Sequence, residues 1–211
     1  MARNKPNPNR RSQRYLLTAV CSAGILVLAA GALLGYALRD SHNGIAGSAL
    51  SSMIGGKFTL VDQNGHSFTD ADLKGKWQLV FFGYTHCPDT CPTTLNELSL
   101  AFDKLPPADR AKAGVIFISV DPDRDTPPVL KEYISSFSAP ITALTGSPAE
   151  VAQAAKDYRV VYAKHPTKDG DYDMDHSALI YIMDPQGRFT ASFTPEDTGN
   201  QMAARLKKLL S

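Results

Sequence analysis

Cysteine is scarce in this chain: there are 3 in 211 residues, and one of them, Cys21, falls inside an apolar run near the start. That scarcity excludes a disulfide scaffold, which a domain large enough to build a proper core does not need. The other two, Cys87 and Cys91, are then a redox pair, a metal pair or both. An excess of charge of one sign is also lacking, with Lys+Arg 22 against Asp+Glu 21 and a formal net charge of +1. No basic stripe with interleaved aromatics is present, so nucleic acid is not an expected partner. No internal repeat is visible, which points to one domain rather than an array.

Charge is missing altogether from Leu16 to Leu38, a run of Leu, Ala, Val, Ile and Gly. At roughly 23 residues it can cross a bilayer, which needs about 20. Arg3, Lys5, Arg10, Arg11 and Arg14 precede it, while Arg39 and Asp40 follow and offset each other. Such asymmetry places the N-terminus in the cytoplasm and everything after Leu38 outside. A cleaved signal peptide usually has an apolar core of only about 7–15 residues and a small-x-small cleavage site, neither of which is seen. Arg10-Arg11 lacks the apolar continuation of a twin-arginine signal, and bulky Val20 before Cys21 argues against a lipidated cysteine. The Asn/Pro-rich start is a poor amphipathic helix, which disfavours a mitochondrial presequence. The expected organisation is a basic cytoplasmic N-terminus at 1–15, a transmembrane anchor at 16–38, a linker at 39–53 and a globular domain at 54–211. The expected location is a bacterial inner membrane, single-pass, with that domain in the periplasm.

The segment Gly83-Tyr84-Thr85-His86-Cys87-Pro88-Asp89-Thr90-Cys91-Pro92 follows the apolar run Leu79 to Phe82 and precedes a helical pattern. Two thiols thus stand where a buried strand gives way to a helix. A helix N-terminus carries unsatisfied N–H groups and partial positive charge, which favour thiolate over thiol. Pro92 suits the first helical position, so Cys91 is expected at the cap and Cys87 one turn earlier. Both cysteines precede a proline, which biases them toward extended or turn geometry.

Around this turn the pattern alternates. Strands are expected at Phe58–Val61, Trp77–Gly83, Gly114–Val120, Ile141–Leu144, Val160–Ala163, Ala178–Met183 and Phe189–Phe193, with a turn at Asp184-Pro185-Gln186-Gly187. Helices are expected at Thr93–Leu105, Pro128–Phe137, Pro148–Tyr158 with Ser147 as cap, and Asn200–Leu210. Strands alternating with helices, then a late hairpin, predict an α/β sandwich around a mixed sheet.

His176 is the candidate third member of the site, because it stands just before the apolar strand at 178–183. If that strand neighbours the one bearing the cysteine turn, the imidazole comes beside the thiols. His86 adjoins Cys87 and can serve as ligand, tune the thiols or point away; His42, His66 and His165 lie in linker, turn and loop contexts. Two thiolates favour Cu(I), and an added imidazole supports Cu(II), so the trio suits copper in either state. Zinc would want a fourth ligand or water. Three ligands with an accessible edge suit metal transfer.

The cysteine segment, the loop Val120-Asp121-Pro122-Asp123-Arg124-Asp125-Thr126-Pro127, and Asp175-His176-Ser177 followed by Tyr181-Ile182-Met183-Asp184 together resemble the Sco/SenC family. The resemblance covers about residues 54–210 and includes the preceding anchor. It implies a thioredoxin-like fold and a tethered copper protein that helps build the dinuclear copper centre of cytochrome c oxidase. Carried over, the copper ligands are Cys87, Cys91 and His176. The implied partners are the oxidase subunit holding that centre, an upstream periplasmic copper donor and a thiol reductase.

Aspartates need their own reading. Asp121, Asp123 and Asp125 with Glu132 superficially resemble a calcium loop, but Thr126 stands where glycine is needed and a strand precedes. Asp121 reads as a strand-end residue near the thiols, and Asp125-Thr126-Pro127 as a helix start. Asp169, Asp171, Asp173 and Asp175 read as a solvated loop, or as an acidic rim that guides a partner. Two function classes remain open. One is a copper metallochaperone; the other is a thiol–disulfide reductase whose redox pair is Cys87 and Cys91, keeping a partner's copper-binding cysteines reduced. The Cys-x-x-x-Cys spacing differs from the Cys-x-x-Cys of thioredoxins, and His176-Ser177 stands where a thioredoxin-like reductase resembles having a proline. Both departures favour metal. No peroxidatic motif is found.

Overall fold

A computed structural model describes residues 54–168 and 170–211. The expected basic N-terminus, anchor at 16–38 and linker at 39–53 lie outside the described residues. Among the described residues, no helix is long and apolar enough to cross a membrane.

The centre is a seven-stranded mixed sheet in the order β2-β1-β5-β4-β3-β8-β9. Its strands are β1 (Thr59–Asp62), β2 (Ser67–Thr69), β3 (Trp77–Gly83), β4 (Ala113–Ser119), β5 (Ile141–Thr145), β8 (Ile180–Met183) and β9 (Phe189–Phe193). β3, β4 and β5 run parallel, while β8 joins β3 antiparallel, with Phe81 opposite Ile180. In β3 the run Leu79-Val80-Phe81-Phe82 is fully buried, and so is Val115 with Phe117 and Ile118 in β4. Continuous burial is what a strand covered on both faces requires. That is why these two strands read so clearly as apolar runs.

The helices are α1 (Thr90–Asp103), α2 (Pro107–Arg110), α3 (Pro127–Ile134), α4 (Pro148–Asp157) and α5 (Gly199–Leu210). α1 buries Leu95, Leu98 and Phe102 at helical spacing. α4 starts as Ser147 predicts: its hydroxyl accepts from the Glu150 N–H, and the Glu150 carboxylate accepts from Ser147 N–H at 2.8 Å. Thr198 and Gln201 close the same capping box on α5.

Two expectations need correction. α1 begins at Thr90, with Asp89 as N-cap, not at Thr93. Pro92 is therefore the third helical residue and Cys91 the second. The first four helical N–H groups have no intrahelical acceptor, so a proline there removes no hydrogen bond, and its bias on Cys91 is overridden.

The acidic stretch before His176 is also not an irregular loop. Tyr172–His176 forms strand β7, paired antiparallel with β6 (Tyr162–Pro166) in a separate two-stranded sheet. Asp173 and Asp175 point to solvent while Met174 is buried between half-buried Tyr172 and His176. The every-second-residue aspartates are the wet face of a strand, whose side chains alternate with period two.

Candidate metal centre

Cys87 lies in the turn after β3, Cys91 in the first turn of α1, and His176 at the end of β7. The antiparallel pairing of β8 with β3 brings the chain just after His176 alongside the strand that ends in the cysteine turn. Their donor atoms, Cys87 Sγ, Cys91 Sγ and one His176 ring nitrogen, all lie within 4.8 Å of one another. Cys91 Sγ is 3.3 Å from His176 Nε2. His86 is not in the group: its half-exposed ring places Nδ1 3.1 Å from Thr85 Oγ1.

The tautomer of His176 follows from its neighbours. Nδ1 lies 3.1 Å from the Ser177 carbonyl oxygen, which can only accept, so Nδ1 carries the proton. Nε2 then turns its lone pair to the sulfurs, the form a metal-binding histidine needs. Phe81 and Tyr84 meet the imidazole edge-on, with ring centroids at 6.0 and 5.9 Å. Both are buried, so the ring has little freedom to turn.

The two thiols are unlike. Cys87 is partly exposed and Cys91 fully buried. The hydrogen bond from the Cys91 thiol pulls Cys87 down to about 3 against the cost of its own burial, with further help from backbone N–H groups. One of those, the Cys91 N–H, donates to Cys87 Sγ at 3.4 Å. The same bond, seen from its donor, raises Cys91, and burial and the adjacent thiolate push it further up. The reduced pair therefore holds one proton on Cys91 and one negative charge on Cys87. A soft monovalent ion that displaces that proton meets two thiolates and an imidazole. Ligand atoms about a first-row ion at about 2.0–2.3 Å stand roughly 3.3–4 Å apart, so only a small contraction is needed.

Two supports of this site were not legible as such in the sequence. Gly83, the last residue of β3, is one: a Cβ built there would come 2.7 Å from Cys91 Sγ and 2.8 Å from the Phe117 ring. The sulfur occupies the space a side chain would take. Asp125, fully buried, is the second. It accepts from Thr85 N–H at 3.0 Å, Thr85 Oγ1 at 2.6 Å and Ser119 Oγ at 2.5 Å, which ties the cysteine turn to the end of β4. Behind them the Tyr133 ring sits between Phe117 and Phe137, its buried hydroxyl without a hydrogen-bond partner among the described residues. Asp121, the expected strand-end residue, is buried and receives hydrogen bonds from Arg124 and Tyr172. An open cleft of ≈ 330 Å³, lined also by Pro88, Asp89, Asp173 and Asp175, reaches Cys87 and His176.

Fold and site together define a class: a thioredoxin-like domain with two cysteines at a strand-to-helix turn and a histidine delivered to them from a separate hairpin. The chain belongs to the SCO1/SenC family, whose model matches residues 46–211. It is similar to the Bradyrhizobium japonicum ScoI structure with copper bound, at 54% identity and a TM-score of 0.69, covering 74% of this chain and 98% of that one. It is 43% identical over 142 residues to the mitochondrial SCO1 homolog 1 of Arabidopsis thaliana, covering 67% of this chain and 42% of that protein. A SCO2-like protein of Rickettsia felis is 36% identical over 191 residues, covering 86% of this chain and 92% of the relative. The chain spans about half the length of several mitochondrial relatives it matches.

Proposed function

We propose that this protein is a membrane-tethered copper metallochaperone that binds copper through Cys87, Cys91 and His176 and delivers it to the dinuclear copper site of cytochrome c oxidase. The observation that carries the reading is the convergence of Cys87 Sγ, Cys91 Sγ and a His176 ring nitrogen within 4.8 Å. Such a set offers soft donors for Cu(I) and a borderline donor for Cu(II), with an open cleft for an incoming ligand. Membership of the SCO1/SenC family supports oxidase assembly as the setting. A copper donor upstream and a thiol reductase are the further partners this role requires, since a disulfide between Cys87 and Cys91 cannot hold copper.

The test is a copper titration of residues 43–211, purified reduced. One copper per chain, held in both oxidation states and with a thiolate-to-Cu(II) charge-transfer band, is the expected result. Binding unaffected by prior oxidation of the two thiols would overturn it.

A second reading, reduction of a partner's copper-site cysteines, is favoured by the unequal thiols. An accessible thiolate beside a protonated partner is the arrangement thiol–disulfide exchange uses. The two readings are compatible in one protein and part at His176.

Tethering rests on the charge-free run Leu16 to Leu38 behind a basic lead. The full-length chain should resist alkaline extraction from membranes, and protease should reach the domain at 54–211 only from the periplasmic side. Recovery of a soluble exported form lacking the first ~40 residues, the lead plus the span, would show cleavage instead.

A further inference from the structure

His176 is carried by an appendage. Its strand, β7, pairs with β6 in a two-stranded sheet separate from the seven strands that lead to the cysteine turn. The third donor is therefore held in place by contacts other than the main sheet's ladder.

A cluster beside the donor set supplies such contacts. Tyr172 opens β7 and shares its inward face with Met174 and His176. Its hydroxyl donates to buried Asp121 Oδ1 at 2.7 Å. Arg124 donates from Nε to Asp121 Oδ2 at 2.5 Å, and from Nη1 to the Tyr172 carbonyl at 3.0 Å and Asp171 Oδ1 at 3.1 Å. The Arg124 Cζ lies 3.7 Å from the Tyr172 ring centroid, and Lys164 Nζ lies 3.6 Å from it. Both cations lie against this one ring, so Tyr172 is tied to the loop after β4 through Arg124 and to β6 through Lys164. Lys164, from β6, also pairs with Asp123 at 3.3 Å.

Asp121, Asp123 and Arg124 belong to the loop after β4, and the next residue, Asp125, holds the cysteine turn through Thr85. One short loop thus grips both halves of the site. Among the described residues, Arg124 Nη2 is buried with no acceptor, so the guanidinium sits where the clasp needs it rather than where its own hydrogen bonding would be complete.

We propose that the Arg124–Tyr172–Lys164 clasp is a positioning device for His176: it fixes the imidazole against Cys87 and Cys91 and so sets how long Cu(II) is retained. The proposal rests on His176 being a copper ligand. Cu(I), held mainly by the two thiolates, depends on the clasp far less.

The test compares the full-length chain in detergent with Tyr172→Leu, Tyr172→Trp and His176→Ala. Hydrogen exchange of the β6–β7 amides is read without copper, and transfer of Cu(II) and Cu(I) to a chelator is read with it. In Tyr172→Leu the hairpin amides should exchange on the order of 10-fold faster while amides of β3 and β4 stay as in the parent. Cu(II) should leave on the order of 10-fold faster, as for loss of a group that orients a ligand, with its charge-transfer band shifted and Cu(I) loss within about twofold. Tyr172→Trp, which keeps a ring for the cations, should restore most of both effects. Unchanged hairpin exchange and unchanged Cu(II) loss in Tyr172→Leu, with Cu(II) lost in His176→Ala, would overturn the clasp alone. Faster exchange across the main sheet, unrescued by Tyr172→Trp, would overturn it too, as a general stability effect. Cu(II) retention unaffected by His176→Ala would overturn the ligand reading on which the proposal rests.

Discussion

Replacing His176 by alanine is expected to abolish Cu(II) retention, leave a poorer two-thiolate Cu(I) site, and hardly change disulfide formation between Cys87 and Cys91. The loss should exceed the roughly 10–100-fold in affinity that removal of an outer-sphere partner costs, because the donor itself is gone. The residue also packs edge-on against Phe81 and Tyr84, so truncation opens a void. His176→Phe refills that void without a nitrogen and should lose Cu(II) as completely, which separates ligation from packing. If the protein delivers copper, cells carrying either variant should fail to assemble the oxidase copper centre while the thiol pair stays redox-active. If it only reduces a partner's cysteines, assembly should remain nearly intact. Copper stoichiometry, dithiol reduction potential and oxidase activity on one variant decide between the two, and normal oxidase activity under copper limitation with copper binding lost would sink the chaperone reading.

The second large effect is the contrast between the two thiols toward an alkylating agent. Cys87 is partly exposed and titrates near 3, so it is already thiolate at pH 5. Its labelling rate should be nearly flat from pH 5 to pH 8, whereas an ordinary thiol with a pKa of about 8.5 speeds up about tenfold per pH unit there. Cys91 is buried and keeps its proton, so it should label orders of magnitude more slowly over the same range. In Cys87→Ser the largest cause of the raised Cys91 value disappears, but burial remains, so Cys91 should speed up without becoming fast. Mass spectrometry of the labelled reduced apo protein reads all three. A Cys87 rate that climbs tenfold per pH unit would show that Cys91 does not stabilise its thiolate.

Much of this was written locally in the chain. β3 and β4 are apolar runs because both their faces are covered, and Ser147 with Glu150 marks the start of α4 by the hydrogen bonds the two residues exchange. The three candidate donors were singled out from residue type and from the resemblance, and the pairing of β8 with β3 brings the chain after His176 toward the cysteine turn. What escaped was set at a distance. Asp125 reads as part of a helix start, yet its carboxylate reaches Thr85, 40 residues earlier in the chain. The aspartates before His176 look like a solvated loop because strand propensity is low for Asp. Their alternation with Tyr172, Met174 and His176 was the signal of β7, and only the packing of the inward face shows which reading prevails. The start of α1 was displaced by a residue rule, proline as first helical residue, that the unpaired amides of a helix start do not enforce.

Gly83 bears on any attempt to transplant this centre. Installing Cys-x-x-x-Cys and a facing histidine in another protein of the same architecture would copy the donors but not the space that receives them. At the strand end before the turn, any residue with a side chain would meet the second sulfur at 2.7 Å. The graft would then have to rotate that cysteine away from the histidine or distort the strand. A minimal portable version of the centre therefore has four positions rather than three, and the fourth is defined by having no side chain at all.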